Sequence, residues 1–146
     1  MPKSSSIADA LTGVLAQTYA LAVKTHAAHW NVTGPHFFHL HEAFGDQYEA
    51  LFEAADELAE RLRAIGAKAP TGISDLAKRS GLAPIAGGDG IALAAALAAD
   101  HRSLAKSCAL VARAAGGAGD EATADLLIGR IEAHDKTAWM LESTAG

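Results

Sequence analysis

Five of the seven histidines in this chain (His26, His29, His36, His39 and His41) fall within sixteen residues. Neutral imidazole is a common ligand of first-row transition metals. His29 and His41 lie almost symmetrically on either side of Gly34-Pro35, a strong helix stop. If the flanking segments fold back as an antiparallel helical hairpin, the two rings sit side by side near its tip. Histidines at a helix junction otherwise act as caps or core filler. A symmetric pair inside a cluster of five favours a metal.

Asp56 and Glu60 are four residues apart and share one face of the same predicted helix as His41. Acids at this spacing usually belong to a solvated surface, where Glu57, Glu60, Arg61 and Arg63 can form ion pairs. At ~1.5 Å per residue, Asp56 lies roughly 22 Å along the helix from His41, so one straight helix cannot bring both to one metal. Either the groups are unrelated, or a second chain related by a twofold axis supplies its Asp56 and Glu60 to the first chain's His29 and His41. A di-iron site inside a single bundle would use Glu-x-x-His motifs, and the sequence contains none.

The elements that must position these groups are helical. Apolar residues at three-and-four spacing predict a first helix after Ser4-Ser5-Ser6, with Ser5 or Ser6 as N-cap, ending near Val32. A second spans residues 36–65 and stops at Gly66. A connection over 67–87 carries a short helix at 74–80. The third long helix begins at an Asp89 cap and runs to Ala115, before Gly116-Gly117. The fourth opens at Asp120, with Ala124, Leu127, Ile128, Ile131, Ala138 and Leu141 facing inward. No strand-like alternation competes with this pattern. The predicted fold is all-α, one domain over residues 1–146: a four-helix bundle whose long crossover carries a short helix between the second and third long helices.

Composition agrees. The 146 residues are 50 % hydrophobic but only 5 % aromatic, with alanine prominent, which favours helix over sheet. The longest strongly apolar run, residues 91–99, is too short to span a bilayer, and the start lacks the pattern of a signal peptide. A single cysteine, Cys108, excludes an internal disulfide and fits a reducing, cytoplasmic compartment. The net charge of −5 is a poor basis for binding duplex DNA.

Residues 29–66 open with HWNVTGP. His-Trp-Asn is followed by a second histidine twelve residues on, and by Asp-x-Leu-Ala-Glu-Arg fifteen beyond that. This stretch resembles the signature of the Dps family, the mini-ferritins named as DNA-binding proteins from starved cells, and the likeness extends over most of the chain. The resemblance implies a ferritin-like fold and a dodecameric shell that oxidises Fe(II), preferentially with hydrogen peroxide, and stores the ferric mineral. It implies His29 and His41 as iron ligands from one subunit and Asp56 and Glu60 from its twofold neighbour. It also implies Trp30 as an aromatic that supplies an electron near the site, and Asp120, Glu121 and Asp125 as the acids of an iron-entry pore. Those three acids also suit a helix N-terminus on local grounds alone. Zinc suits the same imidazole and carboxylate ligands.

One position departs from the family pattern. Many members carry a carboxylate four residues after the second histidine, where this chain has Gly45. Asp46 next door points ~100° away around the helix. A second iron is therefore expected to be weakly held or water-bridged, and His39 is expected on another face. DNA binding is expected to be weak or absent, because Lys3 and the N-terminal amine are the only basic groups before the first helix and twelve copies would carry about −60 in all. The alternative is a nucleoid-associated, DNA-protecting protein with vestigial iron chemistry.

Overall fold

The computed structural model describes residues 4–146, with side chains from Ser6 onward. It contains five helices: α1 (Ser4–Asn31), α2 (Phe37–Ala64), α3 (Ile73–Ser80), α4 (Gly90–Gly117) and α5 (Glu121–Ala145). α1 and α2 form one hairpin and α4 and α5 another, with α3 on the crossover packed against α1. The all-α bundle with a short crossover helix is thus what the chain forms.

Several boundaries differ from expectation. α1 is already helical at Ser4, so Ser5 and Ser6 lie inside it and neither is its cap. Lys3 and the N-terminal amine lie outside the described residues. α4 continues through Gly116 and Gly117, and the chain turns only at Ala118 and Gly119. The two carboxylate caps are as predicted: Asp89 accepts from the Ala92 amide (3.3 Å), and Asp120 accepts from the Thr123 amide (3.1 Å).

The core draws on all four long helices. Leu11, Leu21, Phe44, Leu58, Leu62, Leu97 and Leu127 have no solvent exposure. Burying a large apolar side chain stabilises the fold by about 1.5–3 kcal/mol. Ile128 was expected inside but is 56 % exposed; it falls on the outer edge of the stripe that buries its neighbour Leu127. An 18-residue window within residues 6–31 of α1 reaches a mean hydropathy of 1.2, enough by length and composition to cross a membrane. A search for unbroken apolar runs misses this, because threonine, glutamine and lysine punctuate the segment. Yet 56 % of that window is buried in the bundle, the behaviour of a core helix.

The hairpin tip that carries the histidines is tied down. Gly34 takes φ +107°, a left-handed conformation that favours glycine. The Thr33 amide donates to the Gly88 carbonyl (2.8 Å), joining the tip to the start of α4. The approach is close: a Cβ at Gly88 would sit 2.5 Å from the Asn31 carbonyl oxygen, and one at Gly90 would sit 2.7 Å from Leu40 Cδ1. Further along, Lys24 of α1 pairs with Asp100 of α4 at 2.6 Å, both side chains largely buried.

Candidate metal centre

The reason for the hairpin geometry is visible in the backbone. The His29 carbonyl, near the end of α1, would ordinarily accept from the Thr33 amide, but that amide is committed to Gly88. It is one of the orphan carbonyls of a helix C-terminus and needs another donor. His41 Nδ1 supplies it, donating to the His29 oxygen at 2.7 Å. His29 Nδ1 returns the contact, donating to the His41 carbonyl at 2.6 Å. The rings stack with centroids 3.8 Å apart and planes 14° from parallel.

A carbonyl can only accept, so both neutral rings carry their proton on Nδ1 and keep the Nε2 lone pair free. Donation of the second ring nitrogen to a backbone carbonyl is how proteins orient histidines that bind metals. Gly45 makes the approach possible. A Cβ there would lie 3.2 Å from His29 Cε1 and 3.3 Å from His29 Nδ1, so any side chain at 45 presses on that ring.

Asp56 and Glu60 are exposed on the outer face of α2 and do not meet the histidine pair of their own chain. Among the described residues, no group of three or more His, Cys, Asp or Glu side chains gathers within one protomer. Asp46 and His39 are exposed. The ion pairs considered among Glu57, Glu60, Arg61 and Arg63 are replaced by other contacts. Arg61 bonds Asp120 (2.9 Å) and Thr123 (2.9 Å) on α5, and Arg63 donates to the Ala67 carbonyl.

Trp30 is 65 % exposed in the protomer. Its ring lies 4.1 Å from His26, which stacks at 4.1 Å on Tyr48, and Tyr48 meets His29 edge-on at 5.5 Å. His26 and Tyr48 thus connect Trp30 to the pair, a link that sequence reading missed. The signal for it was faint: His26, His29 and Trp30 share a helix face by spacing, but Tyr48 sits on the partner helix.

Of the three acids at the start of α5, Glu121 and Asp125 are exposed. Asp120 is occupied as a helix cap and as the partner of Arg61. Burial pushes Asp120 up, but the hydrogen bonds from Thr123 and the Arg61 guanidinium together hold it below the usual carboxylate range.

A bundle of this topology, with imidazoles on one helix hairpin, defines a ferritin-like protein, and the family model for a ferritin-like domain matches residues 8–146. The chain is 33 % identical over 138 residues to a DNA protection during starvation protein of Brevibacillus brevis, covering 94 % of this chain and 93 % of that one. It is 38 % identical over 137 residues to a low temperature-induced protein of Nostoc, covering 88 % and 74 %. The crystal structure of a Dps protein from Vibrio cholerae, described as a member of a superfamily of ferritin-like diiron-carboxylate proteins, superposes with a TM-score of 0.93 at 30 % identity, covering 98 % and 91 %. The chain belongs to the Dps family.

Proposed function

We propose that this protein oxidises Fe(II), preferentially with hydrogen peroxide, at sites shared between twofold-related subunits. The ferric product is stored inside a dodecameric shell, so that peroxide and Fe(II) are removed together in the cytoplasm. The observation that carries the reading is the reciprocal pair of Nδ1–carbonyl bonds, which leaves the Nε2 lone pairs of two stacked rings without a partner among the described residues.

The remaining ligands come from a second copy. Asp56 and Glu60 of the partner subunit supply the oxygen donors, giving a mixed imidazole and carboxylate set that suits Fe(II) and also accommodates Zn(II). Support for that pairing lies on the α1–α3 side of the protomer. Val23 (50 % exposed) and Ile73 (77 % exposed) line an apolar groove there. Tyr19 and Leu76 belong both to this groove and to the cavity beside Asp56, so the apolar face runs on to that acid. A second chain covering it would bury apolar surface and align the acids with the histidines in one step.

Each residue then has a separate task. The imidazoles fix Fe(II) in place, and the acids balance its charge and that of the ferric product. Trp30, at the edge of the His26–Tyr48 stack, supplies an electron when only one iron is bound. Glu121 and Asp125 draw Fe(II) toward the pore, with Asp120 contributing mainly by holding that corner. Gly45 leaves one iron firmly held and a second weakly held. DNA binding is weak, given the net charge of −5 per chain.

The test is anaerobic Fe(II) titration followed by peroxide. Ferric absorbance is expected in the parent protein and is lost in His29→Ala and in Glu60→Ala. Mixing the two variants restores part of it by pairing intact halves. Light scattering is expected to give about 180 kDa, twelve times the 15.0 kDa chain. Full activity in a monomer, or in both variants, overturns the reading. Tight, salt-resistant duplex binding without ferric absorbance favours the DNA-protecting alternative.

A further inference from the structure

The second hairpin holds a polar group that iron oxidation does not use. His101 of α4 and His134 of α5 are 2 % and 1 % exposed, and their Nδ1 atoms are 2.9 Å apart. Arg130, one turn before His134, places its guanidinium NH2 3.3 Å from His134 Nε2. These contacts fix the protons. A guanidinium can only donate, so His134 Nε2 accepts and His134 carries its proton on Nδ1. That proton is donated to His101 Nδ1, which leaves His101 with its proton on Nε2.

The chain of donors therefore ends on groups without an acceptor. His101 Nε2 and Arg130 Nε are buried and have no hydrogen-bond partner, and Gln47 Oε1 of α2 is a buried acceptor without a donor. All three side chains line one cavity of about 180 Å³, together with His134, Thr137 and, at its exposed rim, Asp46. Among the described residues no carboxylate lies within ion-pair distance of Arg130; Glu57 and Cys108 act on it only through space. Unpaired buried polar groups of this kind are costly, and three around one cavity call for a shared partner.

We propose that this cavity is a binding site for a small monovalent oxyanion that still carries a proton, of the bicarbonate or dihydrogen phosphate class. One negative charge matches Arg130. Two unprotonated oxygens accept from Arg130 Nε and His101 Nε2, and an O–H of the anion donates to Gln47 Oε1. A metal cation is excluded by the guanidinium beside His134, and a doubly charged anion is opposed by Asp46 at the rim. Arg130 and Gln47 are half-buried side chains that can turn toward a ligand entering from the rim, whereas the histidines are fixed by their mutual bond. The site is independent of the His29–His41 pair and requires no iron.

The test uses the iron-free assembled protein, titrated calorimetrically at pH 6.0 with sodium phosphate and at pH 7.5 with sodium bicarbonate. Sodium nitrate at matched ionic strength is the proton-free control. The expected result is one site per chain for either hydrogen-bearing anion and at least ten-fold weaker binding of nitrate. Arg130→Gln is expected to weaken binding by roughly ten- to a hundred-fold, the range for a hydrogen bond to a charged group. Gln47→Leu, away from the histidine bond, is expected to remove the preference over nitrate while the helical circular dichroism is unchanged. Crystals soaked in phosphate should show the anion against Arg130 and Gln47. Equal affinity for nitrate, binding that survives Arg130→Gln, or water alone in the cavity would overturn the proposal.

Discussion

Both hairpins of this molecule contain a histidine pair joining their two helices, and the pairs are wired in opposite ways. His29 and His41 give their Nδ1 protons to each other's backbone carbonyls and keep two lone pairs outside the contact. His101 and His134 use their Nδ1 atoms on each other, consuming one lone pair in the core, while Arg130 occupies another. The first pair is half-buried and the second fully buried. The pairs differ in what engages Nδ1: a backbone carbonyl in the first, the other ring in the second.

The sharpest way to break the comparison is to disable each pair in turn. His41→Ala should reduce peroxide-driven iron oxidation to the uncatalysed background, whereas replacing both His101 and His134 by leucine should leave its initial rate within about two-fold, at some cost in stability because Arg130 loses its acceptor on His134. Stopped-flow absorbance of the two variants measures this directly. Comparable losses in both would show that the distinction is wrong.

Acid should also tell the pairs apart. Burial first, then Arg130, pull His101 down to about 4, and burial, Arg130 and His101 pull His134 down to about 2. Both are neutral in the native state and ordinary in the unfolded chain. Their contribution to stability is therefore complete above pH 6.5 and falls as the pH drops toward 4, because the unfolded state takes up protons that the fold refuses. For His101 alone the loss is about 3 kcal/mol. Urea unfolding between pH 7 and 4.5 should show this slope in the parent and a shallower one in the double leucine variant.

Gly45→Ala sharpens the comparison from the other side. The added methyl presses on His29 at 3.2 Å, so iron affinity should fall by about ten-fold, within the range for disturbing a ligand's supports. Alanine is the better helix former by roughly 0.5–1 kcal/mol, so the melting temperature should hold or rise. Reduced iron binding in a protein that is no less stable would identify a positioning role. The smallest effect belongs to Asp120→Asn, which keeps a capping side chain but loses the ion pair with Arg61, both groups being partly exposed. A loss under about 1 kcal/mol is expected by thermal unfolding, with iron uptake little changed.

The bundle was legible in sequence because its cues are local. Three-and-four apolar spacing, Asp89, Asp120 and Gly34-Pro35 each act within a turn or two of chain. The His29–His41 pair was legible for the same reason, since a tight hairpin converts symmetric spacing into contact. His101 and His134 are 33 residues apart on different helices, and neither carries a local mark of its partner. The helix ends at Ser4 and Gly117 were misplaced because extending an existing helix by one more bonded residue outweighs the weak preference of serine for caps and of glycine for stops. Gly45 was noticed as a missing carboxylate, but only coordinates reveal that a ring lies against it.

The contact between Arg61 and Asp120 has a consequence one residue away. Glu60 is its neighbour in sequence, yet the guanidinium reaches across to α5 and leaves that carboxylate uncompensated on the surface. A bare negative charge beside an arginine looking the other way is what the proposed intersubunit site requires. The same tether fastens the lower half of α2 to the first turn of α5, so Asp56 and Glu60 stand on a braced strut.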